Sequence, residues 1–193
     1  MPAELLCLRI IWDRQAVPLP HNGLGFHQLH VSPEPGHPFG RKGLALASAW
    51  QQISTPTSAG LLLLDGDVVI DPHDLGAMHA AINKDPEGVW TAPVRLWRSA
   101  MREAGGGWIW SHLTAFPREQ AHLDEWDEHE DFRFSFCFTY LPRHLIEAAI
   151  KANPGLKTWT YPHCDMRMHQ LAARRRVPIR VVRDGCTPKH LNY

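Results

Sequence analysis

A run of four leucines that ends in an aspartate constrains the fold of this chain more than any other feature. Residues 61–64 are all leucine, follow Ala59 and Gly60, and lead directly into Asp65-Gly66-Asp67. An unbroken apolar run of this length is typical of a strand buried on both faces, because helices then cover each side of the sheet. The chain is therefore predicted to be an α/β protein in which this strand has no exposed face.

The two aspartates after the leucines predict a binding site. Asp65 and Asp67 stand just beyond the carboxyl end of the strand, where open α/β sheets bind ligands. Carboxylate oxygens are the ligands that Mg²⁺ and Mn²⁺ prefer, and these ions commonly bridge to the phosphates of a substrate. Because aspartate and glycine also dominate turns, an ordinary turn is the alternative interpretation.

The segment after this pair predicts a helix. Asp71 is suited to the N-cap and Pro72 to the first helical position. Asp74 falls in the first turn, where its charge complements the helix dipole. Apolar residues then follow at helical spacing, at Leu75, Met78 and Ile82.

Periodicity and turn residues predict the remaining elements. Strands are expected over residues 5–12, 88–96, 108–116, 132–140 and 179–182, with 179–182 the last strand of the chain. Helices are expected over residues 42–53, 142–153 and 165–176. Pro93 indicates that the strand over 88–96 is irregular or lies at an edge, because proline cannot donate to a sheet.

The composition favours one globular domain and excludes several classes of protein. The chain has 193 residues, and its 20 lysines and arginines balance 20 aspartates and glutamates, which argues against a pure nucleic-acid binder. The charge is uneven, with seven acids in residues 119–131 and six basic residues against one acid in residues 174–193. No stretch is long enough for a membrane span, and no signal peptide is recognisable. Four widely spaced cysteines favour reduced thiols, so the expected location is the cytoplasm.

The order of these features resembles that of small GT-A type glycosyltransferases, close in style to the family 2 enzymes. Asp65-Gly66-Asp67, with residues 71–75 after it, is similar to the metal motif of that family. Residues 161–168 are similar to the family's acidic helix start, although Cys164 stands where a second acid is usual. Residues 174–182 are similar to the turn and strand that follow, and His190 falls where the family has a late metal-binding histidine.

The resemblance implies a fold and a separate binding role for each half of the chain. It implies a single GT-A-like domain over residues 1–193, with a Rossmann-like central mixed sheet flanked by helices. Residues 1–75 would form the nucleotide-sugar-binding half, and residues 76–193 the acceptor half.

The resemblance also implies an activity. Mn²⁺ or Mg²⁺, held by Asp65, Asp67 and His190, would stabilise the departing nucleoside diphosphate. Asp165, at the start of its helix, would be the general base of an inverting transfer. A simple N-cap is the alternative role for Asp165.

The implied partners are a nucleotide-sugar donor and an acceptor that the sequence does not identify. Asp13 is a candidate contact for the nucleotide, with a surface turn as the alternative. Arg41 and Lys42 are candidates for its diphosphate, with a solvated helix start as the alternative. Trp108 and Trp110 are candidates for the sugar or acceptor site, although core packing is favoured for at least one of them, since alternating residues on a strand face opposite sides. A glycan, a small molecule, a protein or DNA with a modified base are all acceptors that fit.

Three other interpretations remain open on the residues alone. A nucleotidyltransferase would also use paired acids, although residues 22–25 are a poor phosphate loop. A zinc module would use cysteines and histidines near the C-terminus, namely His163, Cys164, His169, Cys186 and His190. A nucleic-acid-binding protein would use the late arginines, namely Arg174, Arg175, Arg176, Arg180 and Arg183. These arginines could also steer an anionic acceptor to a transferase.

Overall fold

The computed structural model of the protein describes residues 4–12, 27–31, 42–66, 68–92, 94–97, 108–111, 137–153, 156, 163–182, 186 and 188–190. The strands within these ranges are β1 (Glu4–Trp12), β2 (His27–Val31), β3 (Ser58–Asp65), β4 (Val68–Val69), β5 (Val89–Thr91), β6 (Val94–Trp97), β7 (Trp108–Ser111), β8 (Phe138–Pro142), β9 (Ile179–Val181) and β10 (Lys189–His190). The helices are α1 (Lys42–Ile53), α2 (Pro72–Lys84), α3 (Arg143–Ala152) and α4 (His163–Arg174).

The main sheet is mixed and has six strands in the order β2-β1-β3-β8-β5-β9. Every neighbouring pair is parallel except the two pairs that include β8, which is antiparallel to both β3 and β5. The predicted α/β class with a central mixed sheet flanked by helices is therefore confirmed.

The four leucines of β3 divide between two cores, as a strand buried on both faces requires. Leu61 and Leu63 belong to a core that α1, α3 and α4 cover, and Leu62 and Leu64 belong to a second core on the α2 side. All four are completely buried. Burying one leucine contributes about 1.5–3 kcal/mol, so this strand is a major source of the stability of the fold.

Helix α2 begins where the sequence predicts. The Asp71 carboxylate accepts a hydrogen bond from the Asp74 N–H at 2.8 Å, and the Asp74 carboxylate accepts one from the Asp71 N–H at 3.0 Å. This reciprocal capping box satisfies two amide groups that the helix itself leaves unpaired. Asp71 is thus confirmed as the N-cap, and Pro72 occupies the first turn.

Helix α4 begins earlier than predicted. Its first residue is His163, so Asp165 is the third residue of the helix and is not its N-cap. The helix ends in a Schellman motif, in which the Val177 N–H donates to the Ala172 carbonyl at 2.9 Å. Arg176 takes the left-handed position of this motif, with φ of 57°.

The strand predicted over residues 88–96 is two strands in two sheets. β5 lies between β8 and β9 in the main sheet, whereas β6 belongs to a second sheet. The break falls between Thr91 and Val94, and the sequence has at Pro93 a residue with no N–H to donate to a sheet. The prediction that residues 179–182 form the last strand is also wrong, since β10 follows β9.

The second sheet has four strands in the order β4-β10-β6-β7. β4, β6 and β10 each follow a strand of the main sheet along the chain, namely β3, β5 and β9. The second sheet is therefore built from chain that leaves the carboxyl edge of the main sheet. No described helix is long and apolar enough to cross a membrane.

Candidate active site at the carboxyl edge of the sheet

Asp65 is the last residue of the leucine strand and lies at the carboxyl edge of the main sheet. Its Cα pairs with Ile10 of β1, and its N–H donates to the Cys137 carbonyl at 3.0 Å on the other side. The residue is only 8% exposed, and its Oδ1 atom is closed to solvent. Neighbouring strands therefore fix the backbone position of Asp65.

Three helices begin at the same edge. α1, α2 and α4 each lead into a strand of the parallel set, β3, β5 and β9, so each helix runs back from the carboxyl edge. Lys42 is the first residue of α1, and Asp165 lies in the first turn of α4. Because helix N-termini carry partial positive charge, this edge favours anionic ligands.

The pairing of β10 with β4 brings His190 close to the chain that follows Asp67. His190 pairs with Val68, and Val68 directly follows Asp67 in the chain. Paired residues of antiparallel strands have Cα atoms about 4.5–5.5 Å apart. The late histidine is thus beside the aspartate motif, although most of the chain separates them in sequence.

The remaining predicted residues are placed only by their neighbours in the chain. Asp13, Arg41 and Asp67 lie outside the described residues. Asp13 directly follows β1, which pairs with β3, and Arg41 directly precedes α1. Of Lys42 and His190 the structure describes the backbone. Among the described residues no group of three or more histidine, cysteine, aspartate or glutamate side chains could hold a metal. Asp67 is not one of the described residues.

Asp165 has a neighbour on α4 that the transferase interpretation did not use. The residue is half-buried, next to Cys164 and Met168, which are completely buried in the core beneath α4. His169 lies one turn further on, and residues four apart in a helix are neighbours. Asp165 Oδ1 and His169 Nδ1 are both closed to solvent. The i, i+4 spacing is the signal in the sequence that could have associated His169 with Asp165 rather than with a zinc set.

The predicted zinc set does not form one site. Cys164 belongs to the core with Leu61 and Leu63, whereas Cys186 belongs to the core with Leu62 and Leu64, on the opposite face of the sheet. The Cys186 thiol also donates to the Asp74 carbonyl at 3.7 Å. Burial, together with nearby carboxylates, raises the pKa of Cys186, which keeps it a neutral thiol and a poor metal ligand.

The late arginines lie away from Asp65. Arg174, Arg175 and Arg176 are at the end of α4, beside the start of β9, and therefore at the amino edge of the sheet. The Arg180 Nε atom is 2.9 Å from Asp85 Oδ2, and its guanidinium lies 5.7 Å from the centre of the Trp90 ring. This placement does not support steering of an acceptor toward Asp65. Arg183 lies outside the described residues.

Trp108 and Trp110 lie on the same face of β7, because residues two apart in a strand share a face. Alternation along β7 therefore does not separate these two residues, contrary to the expectation from the sequence.

Comparisons with known proteins do not identify a family. No protein-family model and no curated protein matches the chain. Among solved structures the chain is similar to the crystal structure of A197 from STIV, with a TM-score of 0.39 and 18% sequence identity. The match covers 74% of this chain and 67% of that chain, and at this TM-score it carries no argument about function.

Proposed function

We propose that the protein is a metal-dependent glycosyltransferase of the GT-A type, which moves a sugar from a nucleotide-sugar donor to an acceptor hydroxyl with inversion. The pairing of His190 with Val68, directly after Asp67, is the observation that carries the proposal. This pairing supports the late metal-binding histidine that the resemblance to the family 2 enzymes implies.

The residues at this edge fit a hard divalent cation. Asp65 and Asp67 supply carboxylate oxygens and His190 supplies an imidazole, a set that suits Mn²⁺ or Mg²⁺ shared with substrate phosphates. When bound, such an ion stabilises the negative charge of the departing diphosphate as a Lewis acid. The buried position of Asp65 holds one ligand in place before the donor arrives.

The donor would lie against the first half of the chain. The N-terminus of α1, with Arg41 and Lys42, is suited to the diphosphate, since helix amides and cations both favour phosphate oxygens. Asp13, which directly follows β1 in the chain, is the proposed contact for the nucleoside.

The two proposed halves meet at Asp65. β2, β1 and β3 come from residues 1–75, and β8, β5 and β9 come from residues 76–193. The boundary between them falls between β3, which ends at Asp65, and the neighbouring strand β8. A donor on one half and an acceptor on the other would therefore meet beside the aspartate motif.

Asp165 is the proposed general base. Its place in the first turn of α4 favours a carboxylate, because the helix dipole stabilises negative charge there. As the acceptor oxygen forms its bond to the anomeric carbon, the bond from that carbon to the diphosphate breaks, and the acceptor proton passes to Asp165.

Hydrolysis of nucleotide sugars in the presence of Mn²⁺ tests the proposal without knowledge of the acceptor. Asp65→Asn should lower turnover more than about 100-fold, because a Lewis acid supplies several kcal/mol and each 1.36 kcal/mol is tenfold in rate. Asp85→Asn is the matched control, since it removes a carboxylate at the amino edge and should leave turnover nearly unchanged. Equal turnover by Asp65→Asn and the wild type would refute the proposed role of this motif.

A further inference from the structure

One face of the second sheet collects tryptophans and basic residues from three strands. The strand register pairs Trp97 with Trp108, Arg95 with Trp110, and Lys189 with Arg95. Paired residues on neighbouring strands share a face, as do residues two apart in one strand. These five residues therefore lie on a single face, here called the tryptophan face.

The tryptophan face is the face opposite the core. The next row of the sheet contains Val68, which is completely buried in the core with Leu62 and Leu64. Val69, which pairs with Lys189, is only half-buried. The rows of Val68 and Val69 lie on opposite faces of the sheet, so the core packs against one face and the tryptophans lie on the other.

The residue types on the tryptophan face match the chemistry of a nucleic-acid strand. Three of the eight tryptophans in the chain lie on this small face with an arginine and a lysine. Indole rings stack on nucleobases of any sequence, and arginine and lysine pair with phosphates. A four-stranded sheet that presents aromatic residues is a known platform for two or three unstacked bases.

We propose that the tryptophan face binds single-stranded nucleic acid, with bases stacked on Trp97, Trp108 and Trp110 and phosphates paired with Arg95 and Lys189. A neutral glycan has no charge that would pair with Arg95 and Lys189, so charge complementarity favours a nucleic acid over it. An anionic glycan lacks the flat bases that would stack on the three indole rings. Binding at this face does not depend on the proposed sugar transfer, because His190 lies in the row of Val68 on the opposite face of the sheet from Lys189.

A pair of charge variants tests where the strand binds. The probe is a fluorescently labelled oligothymidylate of about 15 nucleotides, within the range of single-strand site sizes. In Arg95→Gln/Lys189→Gln, the slope of log K against log salt should fall by about 1.4, because each lost phosphate contact contributes about 0.7. The control Arg174→Gln/Arg175→Gln removes the same charge at the amino edge, and its affinity and slope should match those of the wild type.

A tryptophan variant tests stacking. Trp110→Ala should weaken binding about fivefold or more, and Trp110→Phe should restore most of the affinity, because phenylalanine retains an aromatic face. The thermal midpoints of all variants check that the sheet remains folded. Asp65→Asn should bind the oligonucleotide as the wild type does, which separates this inference from the proposed transfer.

Several outcomes would overturn the inference. The inference fails if the wild type does not bind the oligonucleotide, or if Arg95→Gln/Lys189→Gln binds it as tightly as the wild type does. It also fails if the Arg174→Gln/Arg175→Gln control loses binding, or if heparin competes more strongly than an oligonucleotide of equal charge.

Discussion

At the scale of single residues, Asp65 is where the sequence departs from what stability alone would favour. An apolar residue after Leu64 would continue the buried strand, whereas a carboxylate that is 8% exposed must be compensated by its surroundings. Residues that oppose local stability in this way are frequent at functional sites. The burial of this carboxylate therefore supports the proposed ligand-binding role of the motif.

Cys7 makes stability depend on alkaline pH. It lies in the core with Leu62 and Leu64, and burial raises its pKa from 9.0 to about 11. Above pH 9 the unfolded thiol loses its proton while the folded one keeps it, so this stabilising contribution is full below pH 9 and is lost as pH rises to about 11.

Comparison with Cys7→Ala isolates this effect, since the raised pKa values of Tyr140 and Cys186 are common to both proteins. The difference in free energy of unfolding between wild type and variant should shrink by about 2–3 kcal/mol between pH 9 and pH 11, at 1.36 kcal/mol per pKa unit. Denaturant titrations at several pH values measure it, and a constant difference would show that Cys7 is not buried as described.

At the scale of elements, the end of α4 carries a strained arginine. Arg176 has φ of 57°, a conformation that costs an L-residue about 1–2 kcal/mol and that glycine adopts readily. Arg176→Gly should therefore raise the thermal midpoint by roughly 2–4 °C, because about 1 kcal/mol has that effect in a chain of this size. Arg175→Gly loses the same charge without a positive φ, and its midpoint should not rise. A fall with Arg176→Gly would contradict the Schellman geometry.

Elements specified by local sequence were predictable, and elements created by distant pairing were not. The bounds of α1 and the cap of α2 follow from the spacing and chemistry of adjacent residues, and the structure agrees with both. β10 has two residues and no periodicity of its own, so it exists only through its pairing with β4 and β6. The same pairing defines the tryptophan face and the position of His190, which is why no local pattern indicated either.

The boundaries of two elements needed tertiary information. The sequence pattern over residues 88–96 alternates throughout, and only the separation of β5 and β6 into different sheets shows where it breaks. The start of α4 at His163 places Asp165 inside the first turn rather than at the cap. A carboxylate there still benefits from the helix dipole, so its proposed role is compatible with the corrected position.

At the scale of the whole molecule, the two edges of the main sheet have different characters. The amino edge is closed by paired groups: Arg180 with Asp85, His144 with Glu87, and the Tyr140 hydroxyl, which donates to the Pro86 carbonyl at 2.9 Å. The carboxyl edge collects helix N-termini, the aspartate motif and the second sheet. Because open α/β sheets bind ligands at the carboxyl ends of their strands, this contrast supports the proposed site.

The thermal unfolding midpoint with UDP, GDP, CDP and TDP, each with and without Mn²⁺, tests the central claim most directly. A ligand that binds only the folded protein, at about 100 times its Kd, adds about 2.7 kcal/mol, or roughly 5–11 °C for a chain of this size. The account predicts a rise of that order with one nucleotide, only with Mn²⁺ present, and its loss in Asp65→Asn. The absence of a metal-dependent rise with all four nucleotides, or an equal rise in Asp65→Asn, would contradict it.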